Sequence, residues 1–173
     1  AYLKAKRQTE RGAAGEVKAY IIPATQHDVL TAAKLVNRLL GQGIKVDRAS
    51  ASFTHQGRVY AAGSHVVSMA QPKQGVIRWL LGQTYYPDNT YTRDRSGNPI
   101  RPYDMSTDNL AEYMGVRVDA VTEAVSTPGS RVTADLKPVA SVAAGTHGYL
   151  IEGRNNDSFH ALNLLWDAKA DVR

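Results

Sequence analysis

The stretch VKAYIIPATQHDVLTAAKLVNRLLGQGIKVDRA, residues 17–49, decides how the rest of the chain is read. Its opening, VKAYIIPA, is almost continuously apolar, the pattern of a strand buried on both faces, as strands of a parallel sheet are. Val29, Ala32, Ala33, Val36 and Leu40 then recur at helical spacing, with Leu35 and Leu39 beside them, and predict a helix over residues 28–40. GQG at residues 41–43 stops that helix, and IKVDRA is the next strand. Strand, helix and strand in this order form a β-α-β unit, which normally winds right-handed with its two strands parallel. The expected fold is therefore α/β, mainly a parallel sheet flanked by helices.

The turn PATQHD between strand and helix concentrates polar groups. Asp28 stands where a helix N-cap belongs, its carboxylate accepting bonds from otherwise unpaired amides of the first turn. Gln26 and His27 lie at the strand's carboxyl end, where open α/β sheets bind ligands. The plainer reading of His27 is an exposed turn residue.

Downstream, SFTHQGRVYAAG has strand-like residues on either side of His55-Gln56-Gly57 and predicts a hairpin. SHVVSMAQP is a further strand ended by Pro72, and KQGVIRWLLG a short helix whose apolar face is Val76, Ile77, Leu80 and Leu81. A long irregular segment, QTYYPDNTYTRDRSGNPIRPYD, is polar enough for a surface loop, while its tyrosines pack parts of it down. A short helix is predicted over residues 107–114, with Asp108 near its start and Gly115 at its end. VRVDAVTEAV fits strand or helix, STPGS is a break, and the small and β-branched residues of 132–144 suggest strands.

The last stretch, HGYLIEGRNNDSFHALNLLWDAKADVR, echoes the first. Tyr20, Ile21, Ile22 and Asp28 align without a gap with Tyr149, Leu150, Ile151 and Asp157. After a deletion in the helix, Asn37, Leu39 and Val46 align with Asn163, Leu165 and Val172. Asp157 is thereby expected to cap a second helix as Asp28 caps the first, and Asn156 in place of His27 weakens a catalytic role for the histidine. The expected organisation is a linker or N-terminal helix at 1–16, a first α/β unit with hairpin and long loop at 17–126, and a connector at 127–146. A second β-α-β unit starts at 147–173 and stops inside its second strand, as a fragment would.

Composition narrows the function classes. A chain of 173 residues, 43% hydrophobic and 21% charged, is ordinary for one sizeable folded domain. No apolar run is long enough to span a bilayer and no signal-peptide pattern opens the chain, so no membrane partner is expected. The net charge is +5, yet only Lys4, Lys6, Arg7 and Arg11 cluster, on what is most simply a solvated helix face. No nucleic-acid motif accompanies them, and nucleic acid is not an expected partner. The absence of cysteine excludes disulfides, thiolate metal sites and cysteine nucleophiles together.

None of the five histidines sits in HxxH, HxxE or HExxH spacing, so local sequence supports no zinc site. His55 reads as a hairpin-tip residue and His160 as a helix surface residue. The GxSxG elbow and the GxxxxGK[ST] and GxGxxG loops are absent. The remaining candidates for ligand binding are Gln26, His27, Gln71, Arg101 and Arg154. Gln71 and Pro72 end a strand and start a helix, which would point Gln71 at the same sheet edge as Gln26. Arg101 could receive an anion, and Asp88 and Asp104 are expected to pair with Arg93, Arg95 or Arg101. The plainer reading of these groups is that they satisfy backbone at strand ends.

IIPATQHDVLTAAKLVNRLLGQGIKVDRA, then YAAGSHVVSMAQP, YYPD and RPYDMST followed by MGV, resemble in order the region after the catalytic domain of large bacterial zinc carboxypeptidase-like proteins, relatives of the carboxypeptidase A family. The resemblance covers residues 17–173. It implies a flavodoxin-like region similar to class I glutamine amidotransferases, in a secreted or periplasmic protein. It also implies a metallopeptidase catalytic domain on the same polypeptide as partner, with peptide or cell-wall substrates and zinc held by that domain. The family's zinc ligands, an HxxE pair and a later histidine, and its glutamate general acid/base map onto no residue here, and the amidotransferase cysteine is missing. The expected function is a non-catalytic accessory or interaction domain with no cofactor of its own. The alternative is a small-molecule or peptide binding module lined by Gln26, His27, Gln71 and Arg154. A third reading is an independent hydrolase using aspartates of the tyrosine-rich loop.

Overall fold

The expected helix after residue 28 forms as α2, and four strands follow it before the next helix. In a computed structural model of the chain, the described residues are 1–83, 87–100, 109–126, 129–138 and 142–172. The elements are α1 (Tyr2–Ala14), β1 (Ala19–Ile22), α2 (Val29–Gly41), β2 (Asp47–Ala49), β3 (Phe53–His55), β4 (Arg58–Tyr60) and β5 (His65–Ser68). They continue as α3 (Gln74–Leu81), α4 (Leu110–Tyr113), β6 (Asp119–Val121), β7 (Gly129–Arg131) and α5 (Asn156–Asp167).

The chain is α/β, but the expected parallel, flavodoxin-like sheet is not what forms. The main sheet has the order β6-β1-β5-β2-β7, and each of its pairings is antiparallel. β1 and β2 are both antiparallel to β5 and therefore run parallel to each other, as a β-α-β unit requires. β5 lies between them. The crossover from β5 through α3 and α4 to β6 likewise passes over β1. Two interlocked split β-α-β units of this kind are the ferredoxin-like connectivity, here with β7 added outside β2.

The direction of β5 has a local cause. Residues 50–64 between β2 and β5 are occupied by the hairpin β3-β4 rather than a crossover helix, so the chain returns beside β2 antiparallel. The excursion is closed where Ala49 N–H donates to Ser64 O (2.8 Å) and Gly63 N–H donates to Ala49 O (2.8 Å). The hairpin tip is Gln56-Gly57, both left-handed at φ 46° and 74°, as a two-residue turn between twisted strands demands.

The hairpin also explains the apolar run of β1. Tyr20, Ile22, Val46 and Val67 pack with Leu35, Val36 and Leu39 of α2 and Ile77 and Leu81 of α3. Ala19, Ile21, Val66 and Val121 pack on the opposite face against Tyr60 and Phe53, whose rings stack with centroids 5.2 Å apart. All four residues of β1 are buried. A continuous apolar run thus reports burial on both faces, and antiparallel strands show it too when a hairpin covers the second face.

Elsewhere the expectations divide. α3 buries Ile77 and Leu81 of its predicted face, whereas Val76 is exposed. Asn109 caps α4 by accepting from Glu112 N–H (3.1 Å), Gly115 follows at φ 66°, and residues 107–108 lie outside the described residues. VRVDAVTEAV resolves into the short strand β6. No strand occurs in the described part of 132–144; the strand in this region is β7, inside the expected connector, and it pairs with β2. The second β-α-β unit is realised only as its helix, α5, since residues 149–151 and 168–172 are not strands. A strand lacking a neighbour leaves its backbone groups to water and gains nothing from the extended shape.

α1 lies against α3, with Gln74 Nε2–H donating to Gln8 Oε1 (2.6 Å), while Lys4, Lys6, Arg7 and Arg11 remain exposed as a solvated face. The contact needs Gly12, which is buried and whose added Cβ would overlap the carbonyl oxygen of Met69. A backbone atom cannot swing away. Gly12→Ala is expected to lift α1 and cost about 1–3 kcal/mol, read as a lower Tm. Gly41→Ala, with open space around its Cβ, should stay within about 1 kcal/mol of wild type on the stabilising side.

Candidate functional site

The turn after β1 is built around one buried carboxylate. Asp28 Oδ1 accepts from Thr31 N–H (2.9 Å), and Oδ2 accepts from the Thr31 hydroxyl (2.7 Å) and from Asn156 N–H (2.9 Å). The Asn156 amide donates in turn to Thr31 Oγ1 (3.1 Å), and Lys34 forms an ion pair with Asp157. Asp28 is thus the N-cap of α2, as its position predicts, and it also ties the start of α5 to the start of α2. Burial pushes its carboxyl pKa up, but the donors from Thr31 and Asn156 outweigh that and hold it below the ordinary value. Asp157 does not repeat the cap. Asn155 is the N-cap of α5, without a side-chain cap bond, and Asp157 sits in the first turn facing Lys34.

The two candidate glutamines use their amides as substitutes for a strand. Gln26 accepts from Arg117 N–H (2.9 Å) and donates to Arg117 O and Pro23 O (3.0 Å each). Gln71 accepts from Lys45 N–H (2.8 Å) and donates to Lys45 O (3.1 Å) and Ser68 O (2.7 Å). They do not share a sheet edge: Gln26 follows the carboxyl end of β1, and Gln71 follows that of β5, which is antiparallel to β1 and ends at the opposite edge. Asn37, the counterpart of Asn163 in the repeat, clamps Leu136 in the same two-pronged way (2.9 and 2.7 Å).

His27 is exposed and makes no hydrogen bond among the described residues. Arg154 is exposed and pairs with Glu152 at 3.3 Å, two residues before the Asn156 that binds Asp28. Arg101 and Asp104 lie outside the described residues. Asp88 pairs with Arg93 through two bonds (2.6 and 2.8 Å), as expected of a loop acid, and this holds its carboxyl below the usual range. Among the described residues no group of three or more histidine, aspartate or glutamate side chains could hold a metal ion, and no helix is long and apolar enough to cross a membrane.

Two features carry no local sequence signal. His65 on β5 pairs with Ile22 on one side and Arg48 on the other, and its Nε2 is buried without a hydrogen-bond partner among the described residues. Burial, helped by the Arg48 guanidinium, pushes its pKa down to about 4. The second is a cleft of about 980 Å³ between α3 and the edge strand β6, lined by Tyr20, Gln74, Arg78, Trp79, Gln83 and Asp119 among others. These residues come from separate stretches, and only the crossover that sets β6 beside β1 brings them together. Comparison of the chain with protein-family models, curated proteins and solved structures gives no match.

Asp28→Ala should cost about 2 kcal/mol, at the upper end for a lost cap, and should speed amide hydrogen exchange at Asn156. Asp28→Asn, which retains cap geometry, should cost less; urea denaturation with exchange mass spectrometry reads both. His65 governs a second, pH-dependent loss. The folded state keeps it neutral down to about pH 4, whereas the unfolded chain protonates near the ordinary histidine value of 6.5. Between those values the unfolded state binds more protons, so stability falls as pH is lowered from 6.5 to 4, by up to about 3 kcal/mol. Asp28 acts lower still, its contribution being lost as pH falls below 3.8. His65→Gln should flatten the first window in denaturation midpoints measured across this range.

Proposed function

We propose that the chain is a non-catalytic interaction domain of an exported zinc carboxypeptidase-like protein, docking through the outer face of α5 onto the metallopeptidase catalytic domain of the same polypeptide. The observation that carries the interaction reading is α5 itself. Phe159, Leu164 and Trp166 are 65%, 56% and 54% exposed, and no residue of the helix is buried. Phe159 and Trp166 stand two turns apart on one line of the helix. Tyr149, Leu150 and Ile151, also exposed, precede it. Covering side chains of this size contributes about 1.5–3 kcal/mol each, and contiguous exposed apolar groups mark contact surfaces.

The identity of the partner rests on the ordered motifs of residues 17–173. What is kept from that resemblance is the order of motifs and the exported setting, not the parallel amidotransferase-like sheet. Zinc belongs to the partner domain in this reading, and peptide or cell-wall material is the parent protein's substrate. The engagement of Gln26, Gln71 and Asp28 with neighbouring backbone supports a structural rather than a catalytic use of those groups.

The test supplies the catalytic domain as a separate chain and measures association by calorimetry. Binding is expected, and a Phe159→Ser/Trp166→Ser double variant with unchanged circular dichroism should weaken it at least about tenfold. Zinc-dependent peptide cleavage by this chain alone would sink the reading.

A further inference from the structure

We propose that the cleft between α3 and β6 binds a small monocarboxylate with an aromatic body, its carboxylate received by Arg78 and the Tyr20 hydroxyl and its ring by Trp79. This site lies apart from the α5 face and does not depend on it.

Tyr20 is the decisive residue. It is 3% exposed and belongs to the core, yet its hydroxyl has no hydrogen bond among the described residues, and it lines the cleft. The Tyr20 side chain is buried, but its hydroxyl oxygen is open to the cleft, where a ligand can bond it. Space is kept clear beside it by Gly82, whose added Cβ would come 2.9 Å from the hydroxyl oxygen as well as against the Arg78 carbonyl. Gly82 has an ordinary extended backbone, φ −76° and ψ 141°, so it is crowding rather than conformation that calls for glycine there.

The charges select the class of ligand. Arg78 makes no ion pair or hydrogen bond through its guanidinium among the described residues; burial raises the Tyr20 phenol pKa, and the nearby guanidinium offsets part of that rise. Arg58, the other cation lining the cleft, is already held by Asp119 at 3.3 Å. Glu16 adds a negative charge to the lining. One free guanidinium facing an acid-bearing wall suits a single negative charge and disfavours a dianion, and the guanidinium fork matches a carboxylate. Trp79, 63% exposed at the same cleft, offers an indole face that a flat apolar body can cover.

The chain has two tryptophans, so Trp166→Phe leaves Trp79 as its only indole. In that background the probe is sodium phenylacetate, titrated at constant ionic strength and followed by tryptophan fluorescence. A saturable change is expected, weakened at least about tenfold by Arg78→Gln and about three- to tenfold by Tyr20→Phe, which keeps the ring in the core. Inorganic phosphate, the competing anion, should bind more weakly than phenylacetate. The proposal is overturned by a change that does not saturate, by unaltered affinity in Arg78→Gln, or by phosphate binding at least as tightly. Arg78 is exposed on α3, so its replacement keeps the test decisive even if Tyr20→Phe disturbs folding.

Discussion

The insertion of β5 between β1 and β2 is the constraint on which the rest depends. It gives β1 two antiparallel neighbours, β5 and β6, and so completes the hydrogen bonding of the most buried strand. It also fixes which residues face which layer. The Tyr20–Val67 pair faces α2 and α3, and the Ile21–Val66 pair faces the hairpin. A slip of β5 by one residue would exchange its faces, turning Val67 toward the hairpin and carrying the unpaired His65 nitrogen to the wrong side.

The strands that provide this order are only three or four residues long, too short to hold a sheet by ladder bonds alone. Carboxamide side chains extend them. Gln26 bonds both backbone groups of Arg117 just before β6, Gln71 those of Lys45 just before β2, and Asn37 those of Leu136 beyond β7. An amide has one donor and one acceptor edge like a peptide, so each clamp adds the equivalent of a ladder position where no strand residue is available. The same chemistry explains why polar residues at strand ends can resemble a ligand site while serving the fold.

What was legible in the sequence follows from what each pattern reports. Helical spacing in residues 28–40 reports a buried face and gave α2, and Asp28 before it gave the cap, since both are local. The hairpin was legible because Gln56-Gly57 supplies the left-handed turn in place. Strand direction was not, because YII says only that both faces are covered and is silent on whether helices or a hairpin cover them. The repeat misled for a related reason. Tyr149, Leu150 and Ile151 copy the composition of β1, but a strand exists through its neighbours, and no strand pairs with them among the described residues. Tyr20 lies far enough in sequence from Arg78 and Trp79 that no spacing rule joins it to them.

The wall of the α3–β6 cleft shows how these levels meet. β6 is a three-residue edge strand and would fray if only its pairing with β1 held it. Asp119 in its first position prevents this: Tyr60 donates to it at 3.0 Å, and Arg58 and Arg117 lie 3.3 and 2.8 Å away. The carboxylate is largely buried, and with a phenol and two guanidiniums around it the cost of desolvation is offset by charge-assisted bonds. Tyr60 and Arg58 belong to the hairpin, and Arg117 is held by Gln26, so the hairpin, the turn after β1 and the edge strand converge on one side chain. That convergence occupies Arg58 and leaves Arg78 as the cation facing the cleft. The electrostatics of the cleft are thus a consequence of how the edge strand is secured.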